Sequence, residues 1–193
     1  MTFEEIKKKV SNYKVGIAGC GGLGSNCAAM LVRSGVLKLV MADFDIVQES
    51  NLNRQFFFQN QIGIAKAEAL KENLLHINSG AEIEAHVMKL DKEKIEALFA
   101  SCDVIVEAFD HAEYKQLIIE TVLEAFPDKS LICVSGLGGL EDAEHMRVVR
   151  NGNLIVVGDF MDSVSEENPP MAPKVTIAAA LQANEVLKIL CAK

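Results

Sequence analysis

Apolar positions along the chain keep two rhythms, one of helical spacing and one of short continuous or alternating runs, and the two take turns. Phe3, Ile6 and Val10 fall on one helical face, with the Lys7-Lys8-Lys9 run left to solvent. The apolar run Val15 to Ala18 follows, then a helical segment from Leu23 to Arg33 stopped by Gly35, then a second run from Leu37 to Met41. This is a strand, helix, strand unit. Ile64 to Asn78 is again helical, with Ala67, Leu70, Leu74 and Ile77 on one face and Lys66 in the first turn on another side. A cation there opposes the helix dipole, so something else must favour it. Glu82 to Met88 alternates as a strand does, and Asp91 caps the next helix with Leu90 and Ile95 placed as a hydrophobic staple. Val104 to Val106 and Leu131 to Ser135 are further strands, separated by a helix from His111 to Phe126 that Pro127 ends. Asn151-Gly152, between Met146–Arg150 and Asn153–Val157, is a hairpin signal. Pro173 opens a final alanine-rich helix over Val175 to Leu190.

The pattern predicts an α/β fold: a Rossmann-like, mostly parallel sheet flanked by helices, with an antiparallel hairpin at its C-terminal end. Residues 1–193 read as one domain, with no room for a separate substrate domain. Three connections stand out. The stretch from Asp43 to Gly63 is long and polar enough to be a functional loop. Gly136-Leu137-Gly138-Gly139 has no helical pattern after it and reads as a flexible connection. Gly158 to Met171 reads as an acidic loop, with Asp159, Asp162, Glu166 and Glu167.

Composition narrows the functions available. A net charge of −8 argues against a nucleic-acid partner held by phosphate contacts. The N-terminus lacks the apolar stretch of a signal peptide and no apolar run is read as a membrane span, so a soluble cytoplasmic protein is expected. The five cysteines contain no C-x-x-C pair and the four histidines are scattered, indicating neither a disulfide framework nor structural zinc.

Candidate chemistry begins at Gly19-Cys20-Gly21-Gly22-Leu23-Gly24-Ser25, a turn between strand and helix. Gly19, Gly21 and Gly24 suit the sharp turn, the close approach of backbone to a phosphate, and tight helix-strand packing. The helix start then favours an anion. Asp43 follows at roughly the spacing of about 20 residues at which a carboxylate meets ribose hydroxyls. Alone, this set implies a nucleotide and equally suits a NAD-type redox or sensor domain. The duller readings are a capping box for Asp110 with Glu113, surface charges for Arg54 and Lys66, a turn former for Asp45, core anchorage for Phe56-Phe57-Phe58, space filling for Cys20 and a solvated first-turn residue for His111.

The series Asp43-Phe44-Asp45, then Ser50-Asn51-Leu52-Asn53-Arg54-Gln55, then Lys66 and later Asp110, added to the glycine turn, resembles the ThiF and MoeB family of ubiquitin-activating-like adenylating enzymes. The resemblance spans roughly residues 14 to 190, includes Met171-Ala172-Pro173 and Leu181-Gln182-Ala183-Asn184-Glu185, and is nearest the compact ThiF-type members. It implies ATP on Gly19, Gly21, Gly22 and Gly24, with Asp43 on the ribose, Asn51, Arg54 and Lys66 on the phosphates, and Asp110 holding magnesium. Arg54, Lys66 and Asp110 would then be the catalytic set. The reaction implied is adenylation of the C-terminal glycine carboxylate of a small ubiquitin-like sulfur carrier protein ending in Gly-Gly, within thiamine thiazole synthesis, by a homodimer. Molybdopterin-type and tRNA-modifying relatives are the alternatives inside the family. Two departures are visible: the C-x-x-C pairs of zinc-binding members are missing, so no zinc is expected, and no arginine precedes Gly19, leaving Lys7, Lys8 and Lys9 as the only nearby cations of that helix. The loop from Gly158 to Met171 also lacks the cysteine that some relatives use to join the carrier covalently, so adenylation is expected to be the whole chemistry.

Overall fold

The structure, a computed structural model, describes residues 1–140, 143–161 and 164–193. Asp162, one of the acids of the late loop, lies outside the described residues. The chain runs α1 (Phe3–Val10), β1 (Lys14–Ala18), α2 (Gly22–Arg33), β2 (Lys38–Asp43), α3 (Lys66–Ile77), β3 (Glu82–Val87), α4 (Lys92–Phe99), β4 (Val104–Glu107), α5 (Ala112–Ala125), β5 (Ser130–Val134), β6 (Arg147–Asn151), β7 (Leu154–Gly158) and α6 (Ala172–Ala192). The seven strands form one sheet in the order β3-β2-β1-β4-β5-β7-β6, parallel except for the β6–β7 hairpin. The predicted fold class is therefore the observed one.

Strand periodicity sorts the core into two layers. Val15, Ile17, Leu39, Met41, Val104 and Val106 face one side, where α1, α2, α3 and α6 lie. Val40, Ala42, Ile105, Leu131 and Cys133 face the other, under α4 and α5. Gly16 is a packing requirement there, since a Cβ would stand 2.5 Å from the ring of Phe99. The Leu90–Ile95 staple forms as expected, with both side chains buried and Asp91 accepting the N–H of Lys94.

Four expectations need correction. His111, not Asp110, is the N-cap of α5, and it makes no side-chain cap bond, so the Asp110–Glu113 capping box does not form. The connection Gly136–Gly139 is not a free linker: Gly136 and Gly139 take left-handed φ values of 83° and 72° and lie against the side chains of Asp159 and Asn168. α6 is, by length and composition, apolar enough to cross a membrane, contrary to the sequence reading. Its apolarity has a use within the fold, because Val175, Ala178, Ala179, Ala183, Val186 and Leu190 are buried against the sheet and α2. Asp45, finally, is more than a turn former.

Candidate functional site

β1 is followed on one side by β2 and on the other by β4, so the sheet reverses its winding between β1 and β4, and the crevice above their C-terminal ends is the place such sheets bind ligands. Gly19 to Gly24 occupies that point. Gly19 has φ +98°, and a Cβ on it would come within 2.8 Å of the Ala108 carbonyl. At Gly24 a Cβ would come within 1.9 Å of the Gly19 carbonyl, so the turn closes on itself only with glycine at both positions. At Gly21, by contrast, a Cβ would meet only the Gln55 side-chain nitrogen, at an ordinary contact of 3.7 Å. Backbone covered by one side-chain amide is what a phosphate can approach.

The loop from Gln48 to Phe56 is tied down on this turn by residues that sequence reasoning did not single out. Asn26 donates to the carbonyls of Gly22 and Arg54 (2.6 and 2.9 Å), and Ser25 accepts the N–H of Phe56 (3.0 Å) while donating to the Gly21 carbonyl. These bonds bring the Arg54 side chain over Gly22, where its Cγ lies 3.6 Å from the place a Cβ would take. The guanidinium bonds only to the Ser50 carbonyl and the Asn53 side chain, and among the described residues no carboxylate pairs with it. Asn51 folds a short 3-10 turn by accepting the Gln48 N–H at 3.0 Å. Gln55, beside Gly21, has a buried Oε1 without a hydrogen-bond partner among the described residues.

Asp43 ends β2 and is nearly buried. Its two oxygens accept the N–H groups of Cys20 (2.6 Å) and Asp45 (2.8 Å), so the carboxylate braces the phosphate turn while retaining lone pairs. Burial pushes its pKa above the ordinary range, and these N–H groups and the Lys66 charge pull it back.

Three lysines share one design: each sits in the first turns of a helix, against the dipole, and pairs with an acid at or just past the end of a strand. Lys66 of α3 meets Asp45 at 2.8 Å, Lys115 of α5 meets Glu107 at 2.8 and 2.9 Å, and Lys174 of α6 meets Asp159 at 2.6 Å. They differ in exposure. The acids of the second and third pairs are fully buried, whereas Asp45 is 50% exposed. Lys66 alone belongs to a pair open to the crevice, with its stem buried and its partner able to swing into water. Asp110 lies past β4 with its carboxylate exposed, 3.9 Å from His111 Nε2. Nearby, Tyr114 packs against Phe44, Phe109 and His111 at ring separations of 5.6 to 6.0 Å, and Lys89 lies 5.2 Å over its ring. The structure thus gathers Gly19, Gly21, Gly22, Gly24, Asp43, Arg54 and Lys66 around one crevice, with Asn51 in the loop beside it and Asp110 at the end of the adjoining strand.

The lysines of α1 are elsewhere. Val175, in the first turn of α6, is the neighbour of Gly22, while Lys9 donates to the carbonyl of Cys191 at the other end of that helix, a distance along the axis of about 24 Å. No cation of α1 serves the phosphate turn of its own chain.

The sequence pattern of the ThiF family matches residues 2–193. The chain belongs to the ThiF family. It is 28% identical, over 94% of its length, to the adenylyltransferase and sulfurtransferase UBA4 of Candida glabrata, of which it covers 43%. It is 42% identical over 44% of its length to ubiquitin-like modifier-activating enzyme 5 of Caenorhabditis elegans, and covers 19% of that protein. The chain thus spans less than half of either curated relative. Among solved structures, E. coli tRNA N6-threonylcarbamoyladenosine dehydratase TcdA in complex with ATP superposes with a TM-score of 0.87 at 19% identity, over 98% of this chain and 90% of that one. E. coli MccB with AMPCPP and MccA superposes at 0.73 and 23% identity, over 96% and 57%. These likenesses establish that the ThiF-family chain has the fold of nucleotide-complexed relatives.

Proposed function

We propose that this chain uses ATP to adenylate the C-terminal glycine carboxylate of a small ubiquitin-like sulfur carrier ending in Gly-Gly, in thiamine thiazole synthesis. The observation that carries the reading is the pair of cations beside the glycine turn: Arg54 over Gly22, with no carboxylate partner among the described residues, and Lys66, the one of the three helix-start lysines whose acid is half-exposed. The carrier carboxylate attacks the α-phosphorus, a P–O bond forms, and the bond to pyrophosphate breaks. Negative charge grows on phosphate oxygens, and a planar guanidinium with a point-charge ammonium is suited to take it up. Asp43 holds the ribose by lone pairs its N–H partners leave free, and Asn51 orients the phosphates.

Magnesium fits the site in one way. Among the described residues no three potential ligands cluster, yet magnesium needs only one or two carboxylates when phosphates supply the rest, and the exposed Asp110 is such a carboxylate. It would neutralise the phosphates of the nucleotide it arrives with. A cytoplasmic setting goes with the reading, because the cysteines are free thiols. A homodimer is part of the proposal too, supported by exposed apolar side chains at Ile46, Phe58, Ile62 and Ile64.

The test is exchange of labelled pyrophosphate into ATP in the presence of a recombinant ubiquitin-like carrier ending in Gly-Gly, together with thermal melts. ATP with magnesium should raise the melting temperature by mass action while NAD does not. A larger shift with NAD, or no carrier-dependent exchange, overturns the proposal.

A further inference from the structure

We propose that Lys174 is a positioning residue that fixes the wall of the crevice along which the carrier's tail lies, a proposal that rests on the adenylation reading. Its side chain is 2% exposed, and its ammonium donates to the Gly138 carbonyl at 2.6 Å and meets Asp159 at 2.6 Å. One charge therefore joins three segments far apart in sequence: the β5–β6 connection, the exit of β7 and the start of α6. The next residue, Val175, packs on Gly22, so the same helical turn touches both this wall and the phosphate turn.

The wall needs such a tie because its backbone pairing is one-sided. The Gly139 N–H donates to the Pro169 carbonyl at 3.0 Å, and Gly138 and Gly139 lie in isolated bridges with Pro170. Proline has no N–H to return, so Pro169-Pro170 cannot supply a donor to the Gly138 carbonyl, and Lys174 does so instead. The β7 exit is likewise over-determined. Phe160 holds a left-handed φ of 65°, its N–H bonds the Ser135 carbonyl at 3.2 Å, Asp159 Oδ1 accepts the Met161 N–H at 2.8 Å, and the Arg147 guanidinium lies 5.0 Å over the Phe160 ring. A conformation of this kind persists where its surroundings enforce it, and such segments concentrate at ligand sites. The surface so held, Gly136-Leu137-Gly138-Gly139, is mostly bare backbone at the same C-terminal end of the parallel strands as the glycine turn, and suits a narrow Gly-Gly tail.

The experiment compares the parent with K174M and with K174M/D159N. The double variant removes both charges together, and asparagine keeps the Oδ1 that accepts the Met161 N–H, so folding is not compromised by a lone buried charge. Amide exchange over residues 136–140 and 164–171 is expected to speed up by about tenfold or more in both variants. The KM for the Gly-Gly carrier is expected to rise by about tenfold in pyrophosphate exchange while the KM for ATP stays within about twofold. Parent-like amide protection in the double variant overturns the tie, and so does an equal loss for ATP and carrier. Carrier-dependent exchange with an unmoved carrier KM overturns the positioning role alone. No carrier-dependent exchange in the parent overturns the adenylation reading, and the positioning role with it.

Discussion

Arg54 and Lys66 carry the sharpest expectations at the scale of single residues. Arg54→Ala and Lys66→Ala should each slow carrier-dependent pyrophosphate exchange by about 100-fold or more, the loss typical of one preorganised transition-state donor. Melting temperatures should change little, because Arg54 bonds only within its own loop and Lys66 shares its charge with a half-exposed acid. Parent-rate exchange in both would leave Arg54 an ordinary surface charge and Lys66 a buried structural partner of Asp45. The cysteines make a second expectation. Burial raises the thiol pKa of Cys27 and Cys102 to about 12 and those of Cys20 and Cys133 beyond the ordinary range, leaving Cys191 as the one partly exposed thiol. Native protein at pH 8 should therefore consume one equivalent of an aromatic disulfide reagent, and five after denaturation. Mass spectrometry of a reaction with ATP and carrier should show no covalent carrier adduct. The sequence made Cys27 and Cys133 legible as buried, since they fall on a core helix and strand; the burial of Cys102 depends on Gly16 and Phe99 and was not.

At the scale of elements, the lysines that begin α3, α5 and α6 do different work from one local design. Lys115 neutralises Glu107, a carboxylate with no exposure that also accepts the Phe109 N–H at 2.7 Å. Lys115→Met should cost about 3 kcal/mol, the lower end for stripping one partner from a buried pair, because Lys115 is itself partly exposed. A pH signature accompanies it. Burial holds the Glu107 pKa above its ordinary 4.5, and Lys115 is the largest influence pulling it down. A carboxyl raised in the folded state contributes most below its unfolded pKa, and that contribution is lost as pH rises toward the folded value. In K115M this decline should extend to higher pH and deepen, seen as urea midpoints that fall between pH 5 and pH 7 more steeply than the parent's. A pH-independent difference would assign the loss to packing. The nucleotide crevice itself was legible from the glycines, but the anchoring of its loop by Ser25 and Asn26 was not, because those bonds join residues about 30 positions apart and leave no periodic trace.

The whole molecule is held together by α6. Gln182, fully buried, donates to the carbonyls of Glu107 (2.9 Å) and Ile132 (3.4 Å), tying the helix to β4 and β5. Lys9 closes its far end from α1, and Glu185 pairs with Arg150 of the hairpin, a pairing that together with Lys188 holds the Glu185 pKa below the ordinary range. Native-state amide exchange should accordingly be slowest in α6, β1 and β4; a fast-exchanging α6 would show that its apolar length is not spent on this core. The alternation of strand and helix, the hairpin and the positions where only glycine fits were determined by the sequence itself, because periodicity, turn chemistry and backbone sterics act over a few residues. Tertiary structure alone decided which charges are free to act. Lys66, Lys115 and Lys174 look alike as cations near helix starts, and what separates them is the exposure of an acid brought from a distant strand end, a quantity that exists only once the sheet has formed.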